Sequence, residues 1–158
     1  METDWSEAHS RTWEVLATLV PVVEDLDFTA ELRRVRDGDL QGVVTITNPT
    51  SESALLEYAG TCAPSILIFS PDADEGVPLW DQFRYWQGQV GGCKWFTSIL
   101  EMPASMSRPA VSTGLASDSI ILGDSLPGGT YQAAVRLDVF QPQDTTLVIP
   151  AGLVELRR

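Results

Sequence analysis

The apolar–polar alternation after Tyr131 is the feature that most constrains the fold of this chain. Positions 133, 135, 137 and 139 hold Ala, Val, Leu and Val, and small or polar residues separate them. A period of two places every second side chain on the same side of a β-strand. The stretch Tyr131–Phe140 is therefore predicted to be a strand with one side in a hydrophobic core.

A segment rich in turn-forming residues lies directly before this strand: Leu126-Pro127-Gly128-Gly129-Thr130. In sandwiches of two β-sheets, a tyrosine near the start of a late strand returns its hydroxyl to backbone upstream. Pro127 would restrict the backbone that leads into the turn, and Gly129 would allow the turn itself. The Tyr131 hydroxyl would then hold the turn in place by bonding to this backbone. We expect these three residues to form a structural corner and to have no catalytic role.

Short apolar runs separated by turn residues fill most of the remaining chain. Phe28, Ala30 and Leu32 alternate with polar residues, and Asp37-Gly38 predicts a hairpin leading into Leu40–Thr47. The further runs are Leu55–Tyr58, Ile66–Phe69, Lys94–Leu100, Leu115–Leu122, Tyr131–Phe140 and Leu147–Leu156. Strands at this spacing without intervening helices predict an all-β fold, an antiparallel immunoglobulin-like Greek-key sandwich over residues 26–158.

Residues 1–25 differ in pattern and are predicted to be a separate N-terminal arm. Trp5 and Trp13 fall on a loose helical stripe, while Thr12–Val20 also alternates well enough for a strand, so both structures stay open. The first residues, METDWSEAHS, do not resemble a signal peptide. Two origins stay open: a cytosolic protein, or an exported one whose signal has been removed.

The charge balance excludes one class of partner. Twenty-two acidic residues against ten basic ones give a formal net charge of −12. Phosphate backbones and anionic lipid surfaces would repel such a chain, so we predict that it does not bind nucleic acid. The sequence has no run of apolar residues long enough for a membrane-spanning helix.

Two cysteines, Cys62 and Cys93, flank a turn-rich span, and their spacing is not that of a zinc site. We predict one disulfide, which would stabilise the fold by about 3–4 kcal/mol in the chain-entropy model. Two unpaired core thiols are the alternative. A disulfide indicates an oxidising compartment and favours an extracytoplasmic location, periplasmic or envelope-associated, over a cytoplasmic one.

Neither catalysis nor metal binding is predicted. The single histidine, His9, lies in a polar leader far from any nucleophile motif. Asp72, Asp74 and Glu75 form a small acidic loop, but one loop rarely supplies enough oxygen ligands for calcium. We therefore expect no catalytic, cofactor-binding or metal-binding residues.

An aromatic group surrounds Gly91-Gly92-Cys93, and we expect two or three of its members to be exposed. Such side chains often anchor protein interfaces. The candidate partner-binding residues are Trp80, Phe83, Tyr85, Trp86, Trp95 and Phe96, together with Trp5 and Trp13 of the arm.

Three stretches in order, GVVTITNPTSESALLEYAG, SILIFSPDADEGVPLWD and ILGDSLPGGTYQAAVRL, resemble the domain of BsuPI-type intracellular proteinase inhibitors and related sandwich domains of bacterial envelope proteins. The matching positions are Gly42–Asn48, Gly60, Gly76 with Trp80, and Pro127 and Gly129 with Tyr131. The resemblance covers about residues 27–156 and implies the sandwich fold. Met102-Pro103-Ala104-Ser105 departs from the Pro-Gly turn usual in that family, and no inhibitory reactive-site residue carries over.

Two functions follow as expectations. The first is a non-catalytic protein-interaction module, an extracytoplasmic accessory or scaffolding subunit of a larger complex. The alternative, implied by the resemblance, is a proteinase inhibitor that occupies a protease cleft with an extended loop.

Overall fold

The computed structural model describes residues 22–60, 62–72, 76–89, 92–93 and 97–158. The prediction for the N-terminal arm therefore falls almost entirely outside the described residues, and so do its tryptophans Trp5 and Trp13. The last part of the arm is described, and it forms a 3-10 turn over Val23–Asp25 with Val23 buried in the core.

Strands make up most of the described chain. They are β1 (Asp27–Arg34), β2 (Leu40–Asn48), β3 (Ala54–Ala59), β4 (Ser65–Phe69), β5 (Trp80–Asp81), β6 (Thr97–Met102), β7 (Met106–Ser112), β8 (Gly129–Gln141) and β9 (Thr145–Leu156). Two short helices, α1 (Gln82–Gln87) and α2 (Asp118–Leu122), complete the regular elements of this part of the chain.

The strands form two antiparallel sheets in a sandwich-like arrangement. The first sheet has the order β1-β2-β7, and the second has the order β5-β4-β8-β3-β6. Strand β9 also pairs with β8, along the edge opposite β4, because the same β8 residues pair with both strands. The prediction of an all-β antiparallel sandwich is confirmed.

The core lies between the sheets and follows the alternation seen in the sequence. Val135, Leu137 and Val139 of β8 are fully buried, and they form one cluster with Val44 and Ile46 of β2. A second cluster closes the other end of the molecule. It contains Leu40, Ile66, Ile68, Ala116, Ile121, Leu122, Tyr131, Ala133 and Leu156.

The turn before β8 is held by Tyr131, which is itself buried. Its hydroxyl donates a hydrogen bond to the carbonyl oxygen of Pro127, four residues upstream. Gly129 begins the strand at a φ of 156°, next to this turn. The side chain thus ties the approach of the chain to the first residues of β8.

Asn48 performs a similar function where β2 ends. Its Nδ2 donates to the carbonyl oxygens of Glu52 at 2.8 Å and Met102 at 3.1 Å, and its Oδ1 accepts from the Thr50 backbone at 3.1 Å. The side chain is fully buried. It therefore fixes the β2–β3 turn against the end of β6.

The expectation that no helices intervene between the strands was wrong. The run Leu115–Leu122 was predicted to be one of the strands, yet its second half forms α2. The Ser117 hydroxyl caps this helix by accepting from the backbone N–H of Ile120, and Gly123 ends it at a φ of +53°. A serine cap and a glycine stop outweigh the β-propensity of two adjacent isoleucines.

Strand β7 was not among the predicted strands. It contains Pro109, which cannot donate to a sheet ladder and so weakens the strand pattern. The structure accommodates this proline on an edge strand, at a register shift opposite Val44 and Thr45 of β2. Edge position and bulge are the two places where a sheet tolerates proline.

Candidate functional site

The cysteines define the segment that carries the candidate site. Cys62 and Cys93 form a disulfide with their Cα atoms 5.9 Å apart, so the disulfide prediction is confirmed and the alternative of free thiols is wrong. The bond closes a loop that contains β4, β5 and α1. It thereby ties the chain that follows α1 to the residues that lead into β4.

Helix α1 starts where β5 stops, because Asp81 caps it. The Asp81 carboxylate accepts from the backbone N–H groups of Phe83 at 3.0 Å and Arg84 at 3.3 Å. Gly88 ends the helix, and its N–H bonds to the carbonyl oxygens of Arg84 and Tyr85. These two signals confine the helix to six residues.

A glutamine anchors α1 to the sandwich. Gln82 is 1% exposed and is the one fully buried residue of this helix. Its Oε1 accepts from the backbone N–H of Ile66 at 2.8 Å, and its Nε2 donates to the Gly114 carbonyl at 2.9 Å. The side chain thus satisfies a β4 donor at the point where β5 gives way to the helix.

This anchoring leaves the aromatic side chains around α1 half-buried at the surface. The ring centroids of Trp80 and Tyr85 lie 6.0 Å apart at an interplanar angle of 41°. Those of Tyr85 and Trp86 lie 6.1 Å apart at 70°, an edge-to-face arrangement. Tilted and edge-to-face pairs of this kind are the favoured geometries for aromatic rings.

Two exposed aliphatic side chains border these rings. Leu115 is 47% exposed and Ile120 is 41% exposed, and both belong to the segment around α2. Together with the rings they line a shallow groove of about 230 Å³, which we name the aromatic groove. The described residues that line it are Trp80, Gln82, Tyr85, Trp86, Gln89, Leu115, Ala116 and Ile120.

The floor of the groove depends on a glycine. A Cβ placed on Gly114 would lie 3.4 Å from Cζ2 of Trp86, so the indole ring packs directly over the glycine backbone. The same glycine supplies the carbonyl oxygen that Gln82 binds. Gly114 therefore sets both the position of Trp86 and the attachment of α1.

The polar atoms of the three rings have no hydrogen-bond partner among the described residues. In the described part of the chain, the side chains of Trp80, Tyr85 and Trp86 make no hydrogen bond. Among the same residues, the only buried side-chain polar atom without a partner is the Ser65 hydroxyl. The two indole N–H groups and the Tyr85 hydroxyl are therefore not fully buried.

The structure brings together only part of the predicted aromatic group. Trp80, Tyr85 and Trp86 meet in the groove, whereas Phe83 lies under the guanidinium of Arg136, 5.4 Å from its ring centroid. Trp95 and Phe96 lie outside the described residues. Sequence reasoning missed Leu115, Ile120 and Gln82. For Leu115 and Ile120, the available signal was the pair of helix boundaries, the Ser117 cap and the Gly123 stop.

A second, charged groove of about 820 Å³ lies around Arg34 and Asp118. Arg34 forms a two-pronged ion pair with Asp118 and also donates to the Glu155 carbonyl at 2.8 Å. The hydrogen bond from Arg34 lowers the pKa of Asp118 below its ordinary value, and the backbone N–H of Arg157 contributes to that lowering. These bonds connect β1, α2 and the end of β9. The Arg34 guanidinium and the Asp118 carboxylate therefore stabilise the fold.

The described ranges contain no group of three or more His, Cys, Asp or Glu side chains able to hold a metal ion. Asp74 and Glu75 of the acidic loop, and His9, lie outside those ranges. None of the helices in the described part is long and apolar enough to cross a membrane.

Comparison with known proteins adds no family. No protein-family model matches the chain, and no curated protein matches its sequence. The resemblance to BsuPI-type domains, with the inhibitor activity that it implies, stays a prediction from short motifs.

Proposed function

We propose that this chain is a non-catalytic protein-interaction module that binds its partner through the aromatic groove. The observation that carries the proposal is the position of three large rings at the surface, beside Leu115 and Ile120. Burial of such side chains in an interface removes much apolar area from water at little cost in conformational entropy.

The composition of the groove supports a protein partner. Tryptophan and tyrosine are enriched among the residues that dominate binding energy, and charged side chains are depleted at interface centres. The described residues that line the groove are all uncharged, although the chain as a whole carries a formal charge of −12. This net charge disfavours nucleic acid as a partner.

Rigidity also supports a binding role. The Gln82 hydrogen bonds, the Asp81 cap and the disulfide hold α1 in one position before any partner arrives. Preorganisation of this kind reduces the entropy lost on binding. The disulfide further supports an oxidising, extracytoplasmic location, where the chain would act as an accessory or scaffolding subunit of a larger complex.

Site-specific photocrosslinking in the source cells tests the proposal. A benzophenone side chain introduced at Leu115 should crosslink to a partner protein, because that position borders the groove. The same group at Leu153, which is 64% exposed and does not line the groove, is the matched control.

The substitution Trp86→Ala should abolish the crosslink from position 115 while the chain stays folded. Equal crosslinking to the same protein from positions 115 and 153 would contradict the proposal. So would a crosslink from position 115 that persists unchanged in the Trp86→Ala protein.

A further inference from the structure

We propose that the N-terminal arm docks into an apolar groove on the outer face of the second sheet, and that Trp13 is the side chain that fills it. This second surface shares none of its described lining residues with the aromatic groove. Trp13 would then bind the chain's own sandwich and would not be a contact for the partner.

The outer face of the second sheet carries apolar side chains where a sandwich ordinarily presents polar ones. Leu67 and Phe69 of β4 and Ala134 of β8 form a buried cluster of their own, each at most 5% exposed. Their neighbours in the sequence, such as Ile66 and Val135, belong to the core between the sheets. Because successive side chains of a strand point to opposite faces, this cluster lies on the side of the sheet away from that core.

Beside this cluster lies a groove of about 460 Å³, which we name the outer groove. Leu67 and Phe69 line it and are buried, whereas Val148, which lines it from β9, is 51% exposed. The described lining residues carry no charge, and Gln132 supplies the only polar side chain among them. Filling such a groove with an apolar side chain is favourable, because it removes apolar surface from water.

The described chain begins beside the strand that lines the outer groove. The backbone N–H of Val23 donates to Oε1 of Gln143, in the turn between β8 and β9, at 3.0 Å. Val148 and Gly152 follow Gln143 by five and nine residues, which is about 16–30 Å at about 3.3 Å per residue of strand. Ten residues separate Trp13 from Val23, and they span about 15 Å as a helix or about 33 Å as a strand. Trp13 can therefore reach the near end of the outer groove in the first conformation and its far end in the second.

The sequence of the arm supplies a suitable occupant. Residues 13–20, Trp-Glu-Val-Leu-Ala-Thr-Leu-Val, contain six apolar residues and a single charged one, Glu14. Trp13 has the largest apolar area among them, so its burial removes the most surface from water. Attachment to the same chain favours the arm over a second copy, because a tethered segment that matches the span has an effective concentration on the order of millimolar.

Photocrosslinking in the purified full chain tests this contact. A benzophenone side chain in place of Val148 should attach within residues 1–21 of the same chain, and tandem mass spectrometry of the monomeric product would locate the attachment. The matched control is the same group in place of Ile99, which is 64% exposed on β6 of the same sheet and does not line the outer groove. Trp13→Ala should remove most of the product that forms from position 148.

The indole signals of a ¹⁵N–¹H correlation spectrum provide a second measurement that needs no photochemistry. The chain contains five tryptophans, and the Trp13→Phe protein assigns the signal of Trp13. Val148→Glu places a charge beside the outer groove and should shift this signal towards its position in the urea-unfolded chain. Ile99→Glu should leave the signal where it is in the native protein.

Three results would overturn the inference. The first is attachment to residues 1–21 that is absent from position 148 or equally strong from position 99. The second is a covalent dimer joined through residues 1–21, which would assign the outer groove to a second copy of the chain. The third is a Trp13 signal that does not move in a folded Val148→Glu protein. The crosslink from position 115 tests a different surface, so the protein-interaction proposal would stand or fall separately.

Discussion

Replacing Gln82 with methionine tests how the aromatic groove is held in position. The two side chains have similar length and volume, so the substitution removes the amide without opening a large cavity. In the native chain Gln82 is the one residue of α1 that is fully buried. Its loss should therefore act on the attachment of the helix and leave the packing between the two sheets intact.

The loss of unfolding free energy in Gln82→Met follows from the hydrogen bonds that the substitution removes. The Ile66 N–H would become a buried donor without a partner, which costs about 1–3 kcal/mol. Loss of the hydrogen bond to the Gly114 carbonyl would cost less free energy, because this oxygen also accepts from the Thr113 hydroxyl at 2.8 Å. Burial of a thioether in place of an amide would offset about 1 kcal/mol. The expected net loss is about 2 kcal/mol of unfolding free energy.

Thermal and urea unfolding measure this loss directly. For a chain of this size, about 2 kcal/mol lowers Tm by about 4–8 °C. The matched control is Gln87→Met, at an exposed position of the same helix, which should change stability by less than about 0.5 kcal/mol. Equal stability of the Gln82→Met and wild-type proteins would refute the claim that this glutamine anchors α1.

Three further predictions concern other supports of the fold. Tyr131→Phe should lower the unfolding free energy by about 1–3 kcal/mol, because the partly buried Pro127 carbonyl loses its donor. Urea unfolding measures this, and loss of the crosslink from position 115 in a stable variant would contradict a purely structural role. Replacing Cys62 and Cys93 by serine should cost about 3.7 kcal/mol for a separation of 31 residues, and unchanged Tm in non-reducing buffer would refute this. The pKa of Asp118 is lowered mainly by its hydrogen bond from Arg34, so its stabilisation is present above the unfolded pKa of about 4 and is lost as pH falls below that value. Asp118→Asn should therefore flatten the acid side of the stability profile in urea titrations, and an unchanged profile would exclude this ion pair as its source.

The parts of the fold that could be predicted are those in which one local pattern has one physical meaning. Strand β8 alternates because one face meets the core, and Ala133, Val135, Leu137 and Val139 are buried as the alternation indicates. Ala134 of the other face is buried as well, against Leu67 and Phe69. The disulfide was predictable in a similar way, because a chain with two cysteines has only one possible internal pairing.

The helices and strand β7 could not be predicted with the same rules, because tertiary context decides between competing local signals. The segment that ends in Ile120, Ile121 and Leu122 reads as a strand by propensity, yet a serine cap and a glycine stop make it a helix. Pro109 argues against a strand, yet an edge position with a bulge accepts it. In both cases the deciding information lies in a neighbouring residue or in the position within the sheet.

The site was predictable in composition but not in exposure. Aromatic residues in the segment from Trp80 to Trp86 ordinarily fill a core, and the apolar pattern of α1 gives no reason to place them outside. Gln82 takes the one fully buried position of the helix, because its Oε1 accepts from the Ile66 N–H of β4. The rings of Tyr85 and Trp86 are left half-buried at the surface. If Gln82 holds the aromatic groove in position, the Gln82→Met protein should lose the crosslink from position 115 as well as stability. Gln87→Met should lose neither.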